Sequence, residues 1–209
     1  MTDTRTCEQC GTRFVPRREH ARFCSPSCRV TWNRRHASDP PAENGPLAWS
    51  VTAMRETTDR LFLAGSTDAT DGFAVISEAV WWVTIVDATM IRYHPAVYAA
   101  VLAGQAEAEG RVTEDTFGGL RFVRNRMGYD ADPADFIKPG PRTSRLAAWT
   151  WRPVPEPALA SLPPRGREWE MTRYRSYQAE LAGRAIGESF TRASAFLQLA
   201  ADSSSLSPA

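Results

Sequence analysis

The chain has 209 residues, enough for one sizeable hydrophobic core with a small appended module. Its 25 basic and 24 acidic side chains leave a formal charge of +1, so net charge by itself favours no class of partner. The distribution is uneven: residues 1–36 hold eight arginines against Asp3, Glu8 and Glu19, a formal +5, which leaves the other 173 residues net acidic by four. Lys138 is the only lysine, so arginine abundance alone is a compositional bias and not a signal.

All four cysteines fall near the start, as Cys7-x2-Cys10, thirteen residues, then Cys24-x3-Cys28. A structural Zn²⁺ takes four thiolates tetrahedrally and leaves no open position. Gly11 can adopt the left-handed conformation that ends a tight knuckle at Cys7-Cys10. Ser25 suits a helix N-cap and Pro26 the first helical position, which puts Cys28 in the first turn of a helix to about His36. Two disulfides are the alternative, but residues 1–10 are polar and lack the apolar stretch of an export signal. In a reducing compartment such pairs are more often metal sites than disulfides. A knuckle followed by a ligand-bearing helix, with the run Arg22-Phe23-Cys24-Ser25-Pro26-Ser27-Cys28-Arg29, resembles the bacterial and phage members of the treble-clef zinc fingers. The resemblance covers residues 1–36 and implies one structural Zn²⁺ on Cys7, Cys10, Cys24 and Cys28. Phe14, Phe23 and Trp32 are too few for an independent core, so the metal is expected to fold the segment, structural zinc supplying about 10–16 kcal/mol of apparent binding energy.

A zinc with four thiolates removes two charges, leaving the module at about +3. Arg17, Arg18, Arg22, Arg29, Arg34 and Arg35 are therefore candidate phosphate contacts, because guanidinium groups neutralise phosphates and release counterions. Arg29, Asn33 and His36 share one face of the expected helix. Protein docking and a purely structural cap are the other uses of such a module.

Ala37 to Pro46 has three prolines, a glycine and no apolar periodicity, and is expected to be a linker. From Leu47 to about Ala64, Trp49, Ala53, Leu61 and Phe62 suit an amphipathic helix, followed by a polar loop from Gly65 to Gly72. Phe73 to about Tyr93 is apolar around most of its circumference. Glu78 and Asp87 within it argue for a buried helix over a membrane span, since a central carboxylate costs about 2.5–3.5 kcal/mol on insertion. Ile76, Val80, Val83, Asp87 and Met90 fall on one stripe, so Asp87 needs a cationic or hydrogen-bonding partner. His94-Pro95 breaks this helix, and Pro95 starts another to about Glu109. Val112 to Met127 is a further helix with Thr116, Leu120, Val123 and Met127 inward, Phe117 beside them, and Gly128 as its end. Gly118 and Gly119 each cost about 1 kcal/mol against Ala in a helix, which points to close backbone packing there.

Asp130 to Arg145 is expected to be mostly loop with one helical turn near Phe136, Trp149 and Trp151 to lie on a short strand or extended brace, and Pro153 to Gly166 to wrap as a loop. Trp169 to Ala201 reads as one long helix with Tyr174, Tyr177, Leu181, Ala185, Phe190, Ala193, Phe196 and Ala200 near one side. Gly183 and Gly187 form a small-residue surface on it. Residues 203–209 read as a disordered tail.

Arg124-Asn125 at the end of a core helix in a helical bundle, with a polar residue five positions past the arginine, resembles the HEPN superfamily of metal-independent ribonucleases and nucleic-acid-associated proteins. The resemblance implies Arg124 on a phosphate, Asn125 positioning it, Asp87 orienting Arg124, and two protomers joined at a dimer interface. The family's histidine position holds Tyr129. A phenol of pKa about 10 donates a hydrogen bond but is a poor general base. His94, seven residues after Asp87, is the substitute base if that helix persists. Arg124 with Asp87 as a structural ion pair, Tyr129 as a packed aromatic and His94 as a capping or exposed residue are the plainer alternatives.

The expectation is a mainly α, cytoplasmic protein: a treble-clef zinc finger over 1–36, a linker over 37–46 and an all-α bundle over 47–202. It binds nucleic acid, with a body that is catalytically weak or inactive and that can form a homodimer. The alternatives are a metal-independent ribonuclease using Arg124 and Asn125, and a protein-docking adaptor. No membrane partner is expected. Nor is an organic cofactor, in the absence of a glycine-rich phosphate loop.

Overall fold

In the computed structural model, residues 4–16, 21–36, 45–63, 69–127, 133–139, 149–157 and 163–205 are described. The chain divides into two units, Met1–Asn44 and Gly45–Ala209.

In the first unit, β1 (Arg5–Thr6) and β2 (Arg13–Phe14) pair antiparallel, Arg5 opposite Phe14 and Thr6 opposite Arg13. Gly11 turns the chain between them with φ +72°, the conformation a Cβ disfavours. Helix α1 (Pro26–His36) starts at its proline, and the Ser25 hydroxyl oxygen accepts the backbone N–H of Cys28 at 3.2 Å, as expected of an N-cap. Residues 37–44 of the expected linker lie outside the described residues, and Gly45 and Pro46 already belong to the next helix.

The second unit is mostly helical: α2 (Gly45–Leu63), α3 (Ala69–Tyr93), α4 (Pro95–Ala103), α5 (Glu107–Met127), the single turn α6 (Pro133–Phe136), α7 (Pro164–Glu180) and α8 (Ile186–Ser205). One ribbon joins them, β3 (Ile137–Pro139) antiparallel to β4 (Trp149–Trp151). Helix α3 packs against α2, α5 and α8, burying Ile76, Ala79, Val80, Val83, Val86 and Met90. By length and composition it is the helix among the described residues that is apolar enough to cross a membrane, and the residues it buries serve the bundle core. Its start at Ala69 is earlier than periodicity indicates, because Gly72 is held inside the helix against Trp149: an added Cβ would meet the indole at 2.3 Å.

Several local expectations are corrected by packing. Trp49 is not inward but 63% exposed, since the buried stripe of α2 is Leu47, Ser50, Met54, Thr57 and Thr58; its ring meets Trp82 edge-on at 5.1 Å. Helix α4 stops at Ala103 before Gly104, and α5 begins at Glu107. The long C-terminal helix is broken. Gly183 takes φ +78°, and residues 183–185 leave the helical path to bond β4. There Gly183 N–H donates to Trp151 O at 2.8 Å, Trp151 N–H to Arg184 O at 2.9 Å, and Thr150 bridges Ala185. Backbone groups that a continuous helix would satisfy internally are satisfied by the ribbon instead. Gly183 therefore offers no helix-packing surface: nothing lies within 4 Å of its added Cβ. Residues 203–205 extend α8 where a tail was expected, and residues 206–209 lie outside the described residues.

Gly118 and Gly119 do what their cost implies. Helix α7 crosses α5 there, and added Cβ atoms would come within 2.7 Å of Ser176 and 2.8 Å of Leu181. The Ser176 hydroxyl donates across the contact to Asp115 at 2.7 Å. Trp151 is fully buried beside Tyr177 and Phe190, its indole N–H donating to Ser189 at 3.0 Å.

Candidate metal centre

The knuckle and the start of α1 bring four free cysteines together. Their sulfur atoms all lie within 4.8 Å of one another, with Cys10 and Cys24 at 3.6 Å and Cys24 and Cys28 at 3.5 Å. A tetrahedron with metal–sulfur bonds of about 2.3 Å has edges of about 3.8 Å, so the set can hold a metal ion with little adjustment. Local backbone geometry builds it. Gly11 N–H donates to Cys7 O and Cys7 N–H to Thr12 O, each at 2.9 Å, while the Ser25 cap fixes the turn that carries Cys24 and Cys28.

The thiols are unequal. Burial opposes the Cys7 thiolate, but backbone N–H groups of Cys24, Cys10 and Gln9 outweigh it and lower its pKa to about 6. Cys10 is lowered chiefly by the Thr12 hydroxyl, whose oxygen lies 3.3 Å from the sulfur. Cys24, between Cys28 and Cys10, is pushed up to about 12 by these neighbours, Cys28 first. Crowded sulfurs that resist joint ionisation are what a bound cation relieves, with release of protons.

Arg22 is placed differently from a free phosphate contact. Its guanidinium makes a two-pronged salt bridge with Glu8, which raises its pKa, and stacks 4.8 Å from the Trp32 ring centroid. Phe23 lies 5.6 Å from Trp32, so Arg22 clamps the knuckle to the helix. Arg29 is exposed on α1. Arg17 and Arg18, and the side chains of Asn33, Arg34, Arg35 and His36, lie outside the described residues.

In the body, Asp87 is fully buried and accepts from Arg121 Nε at 2.7 Å, Arg121 Nη2 at 2.8 Å and the Tyr98 hydroxyl at 2.9 Å. The expected Asp87–Arg124 pair is not formed: α5 presents Arg121, one turn after Phe117, to the carboxylate. Arg124 stacks 4.8 Å from the Trp81 ring centroid instead. Burial opposes the Arg121 charge, and the bonds and field of Asp87 more than offset it, raising its pKa. Burial and then Asp87 raise the Tyr98 phenol far above its ordinary value. Neither partner is singled out by the sequence reading; the position of Arg121 one turn after buried Phe117 on α5 is the signal that could have found it. Asn125 is half-buried near the end of α5, and Tyr129 lies outside the described residues. His94 sits between α3 and α4 and its side chain does not cap α4. No protein-family model, curated protein or solved structure matches the chain.

Proposed function

We propose that residues 1–36 form a treble-clef zinc finger that holds one structural Zn²⁺ on Cys7, Cys10, Cys24 and Cys28 and binds nucleic acid. The observation that carries the metal reading is the sulfur cluster, closed by four cysteines and sized for a tetrahedral ion. The nucleic-acid reading is supported by the charge of about +3 that this short segment keeps with zinc bound, by exposed Arg29, by Arg34 and Arg35 on the same helix, and by Arg17 and Arg18 earlier in the sequence. Arg22 holds the finger together. The helical body is catalytically weak or inactive, a reading supported by the commitment of Asp87 to Arg121 and Tyr98 and not to Arg124.

The test has two parts on the full chain. Metal analysis is expected to find one zinc per chain, lost in Cys24→Ser. Anisotropy titrations at stepped salt are expected to show affinity falling steeply, and Arg29→Gln/Arg34→Gln/Arg35→Gln to flatten the logarithmic salt slope by about 2 for a single strand. Affinity insensitive to salt, or unchanged in the triple variant, sinks the nucleic-acid reading. Strong RNA cleavage in EDTA that disappears in Arg124→Ala overturns the reading of a weak or inactive body.

A further inference from the structure

Two exposed rings flanking two guanidinium groups lie on α3, α5 and α7. Trp81 on α3 and Trp169 on α7 are 50% and 56% exposed, which is unusual for the largest apolar side chain. Each is faced by arginine: Arg124 Cζ lies 4.8 Å from the Trp81 ring centroid, Arg173 Cζ 5.8 Å and Arg165 Cζ 5.7 Å from that of Trp169. The two halves are neighbours: α5, which carries Arg121 and Arg124, packs along α7, with Phe122 5.6 Å from Tyr174, the residue after Arg173. Burial first, and then the positive fields of Arg121 and Arg124, weaken the Arg173 cation against the pull of Glu170.

The charges do not balance. Asp87 is spent on Arg121 and Tyr98, and Glu170 lies 3.8 Å from Arg173. Arg124 has no carboxylate partner among the described residues. Three partly buried guanidiniums against two carboxylates leave a positive excess that an anionic ligand would neutralise. A guanidinium lying over an indole keeps its in-plane N–H donors available, in the fork geometry that suits phosphate oxygens. The exposed indoles are stacking platforms, and every nucleobase has a π-face to offer them.

We infer that the set Trp81, Arg124, Arg173, Trp169 binds single-stranded nucleic acid, with bases on the two indoles and phosphates on the two arginines between them. A duplex hides its base faces and cannot use the rings. This surface belongs to the helical body and goes beyond the zinc-finger reading, so the two fail separately.

The experiment uses the full zinc-loaded chain and a labelled mixed-sequence 20-mer, as RNA and as DNA, each also as its duplex, with an abasic oligomer of equal charge and polyglutamate as further probes. Trp81→Leu/Trp169→Leu is expected to weaken single-strand binding about tenfold or more. The abasic oligomer should bind wild type no tighter than the intact oligomer binds that variant. Arg124→Gln/Arg173→Gln should flatten the single-strand salt slope by about 1.4. Arg121 is left in place because it holds Asp87, and an unchanged melting temperature shows that each variant is folded. The proposal falls if wild type binds no single strand, or if both double variants bind it like wild type. It also falls if duplex or polyglutamate binds as tightly as the single strand. Loss confined to the triple arginine variant of the zinc finger would leave that reading standing and remove this one.

Discussion

The buried pair of Asp87 and Arg121 gives the sharpest quantitative test of the body's construction. Asp87 has no exposed surface, whereas 31% of the Arg121 side chain reaches solvent. Arg121→Met strands a carboxylate in the core with one remaining donor, Tyr98, and breaking a buried pair in this way costs about 3–5 kcal/mol. Asp87→Leu removes the anion and lets Arg121 rehydrate through its exposed side, leaving an unpaired Tyr98 hydroxyl, so about 1–3 kcal/mol is expected. In the double variant an apolar pair replaces an ionic one, and the loss should be no larger than that of Asp87→Leu alone. Urea unfolding followed by tryptophan fluorescence reads this, since six of the seven tryptophans lie in the body. At a slope of about 2 kcal/mol per M, a loss of 4 kcal/mol moves the midpoint by about 2 M. Losses that simply add in the double variant would refute the pairing, and a larger loss for Asp87→Leu than for Arg121→Met would refute the asymmetry of burial.

The crossing of α5 and α7 predicts opposite outcomes for two glycines of one helix. Gly119→Ala forces a Cβ to 3.1 Å from the Tyr177 backbone and should destabilise by about 1–2 kcal/mol despite its better helix propensity, while Gly110→Ala, whose nearest contact is 3.7 Å, should be neutral or stabilising by up to about 1 kcal/mol. Gly183→Ala, at φ +78°, should cost about 1–2 kcal/mol in the same unfolding assay. Burial raises the phenols of Tyr98 and Tyr177 above their ordinary value. Their stabilisation is complete below the unfolded pKa of about 10 and declines above it, because the unfolded state then binds fewer protons. Each should contribute up to about 1.4 kcal/mol of loss per pH unit there, and Tyr177→Phe should reduce the slope of midpoint against pH. Stripping the metal or substituting Cys24→Ser should abolish ordered structure in residues 1–36 by amide exchange and leave the body's urea midpoint in place, as expected of a separate unit.

The four-cysteine cluster that could hold a metal was legible because its rules are local. Four cysteines at those intervals, Gly11 at a positive-φ turn, and Ser25-Pro26 opening a helix are decided within a few residues, and the structure uses all of them in those roles. The helical class of the body and the inward stripes of α3 and α5 follow from periodicity in the same way, as does the close packing at Gly118 and Gly119. What the chain does across distance was decided only by tertiary contacts. Asp87 demanded a cation from its place on an apolar face, but the crossing of α3 and α5 chose Arg121 over Arg124, three residues away on the same helix. The helical pattern from Trp169 onward is continuous, yet β4 claims the backbone at Gly183 to Ala185 and breaks it. Periodicity constrains which face a residue occupies; the partner it meets depends on how elements 34 residues apart in the chain dock, and that is a property of the folded core.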